Sequence, residues 1–280
     1  MVQHAFGWKK QKPDPRDYSI NHPQVRKFFL KLKEVPKSVS WRNSPNMPPI
    51  VDQGQLGSCT ANAAACLIDY CEHKTNGQFL TPSRLFEYWN TEIEDGADPT
   101  QDNGATIRSA LKAIGDYGAI PESWMPYHDS MPLISPTQDD FDEGKKYKAT
   151  KYVLIDQPGM NPTDILAEIK SQLAQENILD FGSPVYQQIY SVGSDGNVTM
   201  PASGERSIGG HSMCIIGYDD AHDNADGTKG AFEVRNSWGT AWGDNGYCWM
   251  PYGYVLQGSS FPDGLISDIW DLESEDWAQV

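Results

Sequence analysis

The 280-residue sequence is poor in positive charge, holds few cysteines and has no long apolar run. Lys and Arg number 22 against 38 Asp and Glu, a formal charge of −16. So acidic a chain repels phosphate backbones, which sets nucleic acid aside as a partner. No apolar stretch approaches the ~20 residues that cross a bilayer, so no membrane partner is expected. The first twenty residues carry no continuous apolar segment. No secretory leader is read there, and a cytoplasmic setting is the most economical expectation. The five cysteines (Cys59, Cys66, Cys71, Cys214 and Cys248) are odd in number and scattered, and none form a CxxC pair. That pattern fits neither the disulfide framework of a small secreted domain nor a zinc ribbon. Neither a metal nor another cofactor is expected, and at least one thiol must be unpaired.

Aromatic residues are plentiful: nine Trp, thirteen Tyr and nine Phe, enough to fill a sizeable core. Up to about residue 150 the periodicity is helical. Ala64, Leu67, Ile68 and Cys71 draw one stripe over 59–74, ended by Asn76-Gly77. Thr81-Pro82 opens a second helix through Trp89. Ile107, Ala110, Leu111 and Ile114 mark a third, closed by Gly115 or Gly118. Asn161-Pro162 opens a fourth. Short strand-like segments follow at 152–155, 178–181, 185–190, 213–217, 232–235 and 246–250. Helices first and strands second is the order of an α+β protein with two lobes. The last eighteen residues carry six acids and read as solvated.

Cys59 differs from the other thiols. It follows Gln53-Gly54-Gln55-Leu56-Gly57-Ser58 and begins the first helix. Free N–H groups and the positive end of the helix dipole favour a thiolate there. Cys66 and Cys71 sit deeper in the helix and Cys214 and Cys248 in strands, where cysteine is a small buried hydrophobe. A thiolate nucleophile needs a base. Of six histidines, His211 stands apart: Gly209-Gly210 precede it, and a strand begins with it. Asn236 opens Asn236-Ser237-Trp238-Gly239-Thr240-Ala241-Trp242. An Asn amide can hold an imidazole, and an adjacent Trp can shield that bond from water. His222 to Glu233 shares several positions with a calcium loop, but its first position is His222 and its flanks are strands, so a hairpin is expected.

Gln53 to Cys59, Gly210-His211 and Asn236 to Tyr247 resemble, in order, the three signature blocks of papain-like cysteine peptidases. In detail the chain looks closest to the family's bacterial branch. The resemblance covers roughly residues 35–270. It implies a papain-like two-lobed fold, a helical lobe (roughly 45–130) and a twisted antiparallel β-barrel lobe (131–270) with the cleft between them. It implies Cys59 as nucleophile, His211 as base and proton donor, and Asn236 as the group orienting His211. Gln53 and the Cys59 N–H would form the oxyanion hole. Asn103 and Gly104, with Ala105, resemble the strip that pairs with substrate backbone. Gly210, Trp238 and Trp242 would line the site. Leu56 and Thr60-Ala61 replace a cysteine and an aromatic pair common in the family, and neither change removes a catalytic group.

The implied function is a cysteine endopeptidase acting on protein or peptide substrates as a monomer, without cofactor. Two rivals share the fold: a catalytically silent binding protein, and an acyl transferase or transpeptidase using the same thioester. Residues 1–34 form an arm of net charge +5 against −21 for the remainder, with an amphipathic segment at 26–33. The expectation is an intramolecular inhibitor laid through the cleft, drawn by charge and anchored by Phe6, Trp8 and Tyr18, with Pro13 and Pro15 resisting cleavage. Residues 271–280 read as an acidic tail.

Overall fold

The computed structural model describes residues 4–26, 32, 34–131, 133–147, 151–258, 261 and 265–273. Along the chain run α1 (Pro23–Arg26), β1 (Ser38–Ser40), α2 (Cys59–Asn76), α3 (Arg84–Glu94), α4 (Ile107–Tyr117), α5 (Gln138–Gly144), β2 (Lys151–Leu154), α6 (Pro162–Ala174), β3 (Leu179–Val185), β4 (Gly209–Asp223), β5 (Lys229–Arg235), β6 (Tyr247–Pro251), α7 (Gly253–Leu256) and β7 (Ser267–Glu273). Helices cluster early and strands late, the expected α+β order. The strands form an antiparallel sheet in the order β2-β7-β3-β4-β5-β6, and β1 pairs with β4 outside that path. No helix among the described residues is long and apolar enough to cross a membrane.

The central element is α2, buried on all sides from Cys59 to Tyr70 rather than along one stripe. Ala61, Ala63, Ala64 and Ala65 let α3 and α4 approach one side while β3, β4 and β7 approach the other. Gly77, at φ +70°, ends it in the left-handed conformation that suits glycine. The next helix starts two residues later than expected. Ser83, not Thr81, caps α3 by accepting a bond from the Phe86 N–H, and the Thr81 N–H is taken by Asp69. Thr106 and Asn161 cap α4 and α6, with Pro162 at the first helical position, and Gly118 ends α4.

Three readings need correction. The segment 185–190 is not a strand: β3 ends at Val185 and a 3₁₀ turn spans Gln187–Ser191. The last eighteen residues are not all solvated. Ser267–Glu273 is strand β7, with Ile269, Trp270 and Leu272 buried between β2 and β3. Its three acids among seven residues hid a strand buried on both faces, in which Asp268 and Asp271 are as covered as Ile269, Trp270 and Leu272. The helical layer also reaches past residue 130, since Phe141 of α5 packs on Phe86 and Tyr117. The segment 223–229 is the expected hairpin, closed by Asn224 N–H to Thr228 C=O. The amphipathic segment at 26–33 and the tail from 274 onward lie outside the described residues, apart from Arg26, which ends α1, and Leu32.

Candidate active site

The loop before α2, the start of β4 and the end of β5 converge where α2 meets the sheet. Cys59 is the first residue of α2, His211 the third of β4, and Asn236 follows β5 directly. All three are essentially fully buried. His211 Nε2 donates to Asn236 Oδ1 at 2.7 Å, and the same oxygen accepts the Ser237 N–H at 2.8 Å. The proton on Nε2 leaves Nδ1 as the basic nitrogen, and Nδ1 has no hydrogen-bond partner among the described residues. Trp238 lies over this pair, its ring 4.8 Å from that of His211. Trp242 meets Trp238 edge-on at 5.5 Å and donates to the Ile189 carbonyl. Gln53 is held at both ends of its amide: Oε1 accepts from Ser237 Oγ at 2.7 Å, and Nε2 donates to the Leu56 carbonyl at 3.0 Å.

Residues 4–11 of the N-terminal arm cross this constellation. Gln53 Nε2 also donates to the Ala5 carbonyl at 3.2 Å, and the Gly7 N–H faces the Cys59 sulfur together with the N–H groups of Ser212 and Thr60. Gly7 C=O accepts the Ala105 N–H and Lys9 N–H donates to the Ala105 carbonyl, a parallel bridge centred on Trp8. On the opposite wall, Trp8 N–H donates to the Gly210 carbonyl at 3.0 Å. The approach depends on missing side chains. A Cβ on Gly7 would fall 1.7 Å from the Gly57 carbonyl oxygen, one on Gly104 2.2 Å from the Gly7 oxygen, and one on Gly210 2.3 Å from the Trp8 oxygen.

Trp8 is the arm's deepest anchor, 8% exposed, with its indole N–H on Asp268 Oδ2. Phe6 packs among Tyr190, His211 and Trp238, and His4 stacks on Trp238 while bonding Asp52. Tyr18 is half exposed and anchors nothing in the cleft, and Pro13 and Pro15 lie beyond the residues that cross Cys59. Charge contributes less than the net values implied. Lys9 reaches Asp95, but Arg16 turns back to Asp14 within the arm, and the arm's most buried ion pair among the described residues sets Asp17 against Arg108 of α4.

Burial reverses the expected state of the two reacting groups. Burial pushes the Cys59 thiol up to about 11, against the N–H groups that face it. Burial likewise pushes the His211 imidazole down to about 4, although its Asn236 bond favours the cation. The helix terminus favours a thiolate, but burial outweighs it, and both groups rest neutral.

Of the residues singled out, Gly104, Gly210, Trp238 and Trp242 surround the same crossing point. Asn103 does not: its amide is spent on Glu92 and on the carbonyls of Asp98 and Gln101, so it shapes the loop that presents Gly104 and Ala105. Ala105, named with Gly104 in the sequence, pairs with the arm through its own N–H and C=O. Two contributors escaped sequence reasoning. Asp102 grips the Gly57 N–H ahead of α2 and accepts from Tyr88. Asp268, on the missed strand β7, meets the arm through Trp8 and the Gln11 N–H.

The family model described as papain family cysteine protease matches residues 35–258. An uncharacterized peptidase C1-like protein of Acanthamoeba polyphaga mimivirus is 35% identical across 97% of this chain and 88% of its own length. Cysteine proteinase 2 of Entamoeba histolytica is 29% identical across 81% of this chain and 66% of its own length. Among solved structures, xylellain, a cysteine protease from Xylella fastidiosa, superposes with a TM-score of 0.77 at 29% identity, covering 97% of this chain and 96% of that one. With its antiparallel sheet, its buried helix headed by Cys59 and the family match over most of its length, this chain belongs to the papain family of cysteine proteases.

Proposed function

We propose that the chain is an endopeptidase that cleaves peptide bonds through a Cys59 thioester and is held inactive by residues 4–11 of its own arm. The observation that carries this reading is the meeting of four groups at one point: the Cys59 sulfur at the head of α2, His211 held through Nε2 by Asn236, the Gln53 amide, and arm backbone lying across all of them.

With the arm withdrawn, the Cys59 proton passes to His211 Nδ1, and the resulting imidazolium is steadied by Asn236. The thiolate adds to the substrate carbonyl, and the oxyanion is met by Gln53 Nε2 and the Cys59 N–H. His211 returns its proton to the leaving amine as the C–N bond breaks. It then takes a proton from water, which attacks the thioester and frees Cys59. Gly210 and the Gly104–Ala105 strip receive substrate backbone as they now receive the arm's, and Trp238 and Trp242 keep water from the His211–Asn236 bond. At the sulfur the arm presents the N–H of Gly7.

The likeness to the Xylella protein supports a place in the bacterial branch. The test is hydrolysis of a mixed peptide library by a chain beginning at Val35, with and without an added amine. Hydrolysis products alone support the endopeptidase, amide-exchanged products support a transferase, and silence in both arms supports a binding protein.

A further inference from the structure

Beneath the cleft lie two thiols that the peptidase chemistry does not use. Cys66 of α2 and Cys214 of β4 are 6% and 2% exposed, both are reduced, and they line one small cavity together with Arg235, where Cys214 Sγ donates to the Ala63 carbonyl at 3.6 Å, one turn before Cys66. Each sits close along the chain to a reacting group. Cys66 is about two helical turns beyond Cys59, and Cys214 is three residues beyond His211 on the same strand. A bond between them would tie the helix that carries Cys59 to the strand that carries His211.

Burial alone would make these thiols inert, but Cys66 also lines a cavity of about 130 Å³ together with Asn62, Asp69, Arg84, Glu122 and Arg235. That is room for several water-sized molecules. Arg235 is held there by the carbonyls of Pro48 and Pro49, and its strand register sets it opposite Cys214. Its fixed positive charge favours a thiolate at Cys66. The neighbouring Cys214 side chain acts in the same direction and more strongly, while Cys214 keeps its proton, directed at the Ala63 carbonyl. The other thiols lack this arrangement. Cys71 donates to the Leu272 carbonyl, Cys248 lies in the separate core of the sheet, and Cys59 is covered by the arm.

We propose that Cys66 and Cys214 form a peroxide-sensitive pair that closes to a disulfide linking the helical layer to the sheet. The Cys66 thiolate attacks one oxygen of hydrogen peroxide and breaks the O–O bond. The departing hydroxide takes a proton and leaves as water, and Cys66 becomes a sulfenic acid. The Cys214 sulfur then attacks the Cys66 sulfur and expels hydroxide, which takes the Cys214 proton and leaves as a second water. Two electrons pass from the sulfur pair to peroxide. A thiol reductant reverses the change by exchange. The loop so closed is about 150 residues long, so the bond constrains the unfolded chain strongly.

The experiment uses the full chain carrying Cys59→Ala, which removes the peptidase thiol from the chemistry. After hydrogen peroxide, digestion without reductant should yield one peptide pair joined through Cys66 and Cys214 and lighter by two hydrogens. It should exceed any pair containing Cys71 or Cys248 at least tenfold and be reversed by dithiothreitol. The oxidised protein should unfold at a higher temperature than the reduced one. In Cys59→Ala/Cys214→Ala, a change small enough for the core to tolerate, Cys66 should halt at the sulfenic acid and be trapped by dimedone. Thiols that stay reduced, overoxidation of Cys66 without a cross-link, or cross-links through other cysteines would each overturn the pairing. Absence of the dimedone adduct would overturn Cys66 as the attacking thiol. None of these readouts requires peptidase activity, so they fail or succeed independently of the proposed function.

Discussion

Replacing Trp8 by alanine asks how firmly the arm is held. Trp8 is 8% exposed, fills the space against Gly182 where any Cβ would meet its ring, and donates to Asp268. Truncating a buried tryptophan costs about 3–5 kcal/mol. The loss falls on the docked state alone, because the undocked arm leaves this side chain in water. At ~1.4 kcal/mol per decade, the open fraction should rise by at least ~10²-fold, up to the limit set by a chain with no arm. The state of the thiol sets the size of the signal. Covered, Cys59 titrates near 11, so about 10⁻⁴ of it is thiolate at pH 7. An exposed thiol near 8.5 is about 3% thiolate, and one at a helix start beside an imidazole is more so. The assay is the rate of iodoacetamide labelling at Cys59, followed by peptide mass, in the full chain, in Trp8→Ala and in a chain beginning at Val35. Trp8→Ala should label at least ~10²-fold faster than the full chain, or reach the arm-free rate if that comes first. Tyr18→Ala, which removes a half-exposed ring, should change the rate by less than about twofold. Equal rates for Trp8→Ala and the full chain, with the arm-free chain faster than both, would refute the anchor. Equal rates in all three would refute the cover itself.

Other expectations follow from the same contacts. In the full chain the labelling rate should climb about tenfold per pH unit from neutrality toward 11, because docking favours the protonated thiol and is lost as pH rises through that value; the arm-free chain should level off at or below about 8.5. Asn236→Ala removes a 2.7 Å bond to a group that becomes charged, worth about 1.5–3 kcal/mol, so kcat of the arm-free enzyme should fall on the order of 10–10²-fold with KM little changed. Gln53→Ala should lower kcat by about 10²–10³-fold, and a change confined to KM would show that the amide does not meet the oxyanion. Raising salt to the molar range should speed labelling of the full chain by less than about fivefold, since the Lys9–Asp95 pair is surface-exposed on one side and such pairs contribute about 0–1 kcal/mol; a larger effect would restore charge as the main hold.

Much of the site was legible because its groups are punctuated by residues with few other uses. Glycines before Cys59 and His211, and the Asn-Ser-Trp-Gly run after β5, mark places where backbone must approach closely or a polar side chain must be held. Caps at Thr106 and Asn161, and the stop at Gly77, show how short-range chemistry sets element ends. What failed was long-range. Strand β7 carries Asp268, Asp271 and Glu273 among its seven residues, a density of acids that reads as solvated until β2 and β3 enclose it. Net charge predicted the arm's attraction, but the contacts that hold it are backbone bonds to Ala105 and Gly210 and the buried Trp8, which no charge sum reveals. The thiolate expected from the helix start is likewise a property of α2 alone, and burial in the folded chain overrides it.

The most direct measurement is peptide hydrolysis by the chain beginning at Val35, paired with mapping of an epoxide thiol inhibitor on it. One equivalent of inhibitor should attach to Cys59 and abolish turnover, and Cys59→Ala should be folded and inactive. Labelling spread over the five cysteines, or turnover that survives in Cys59→Ala, would contradict it.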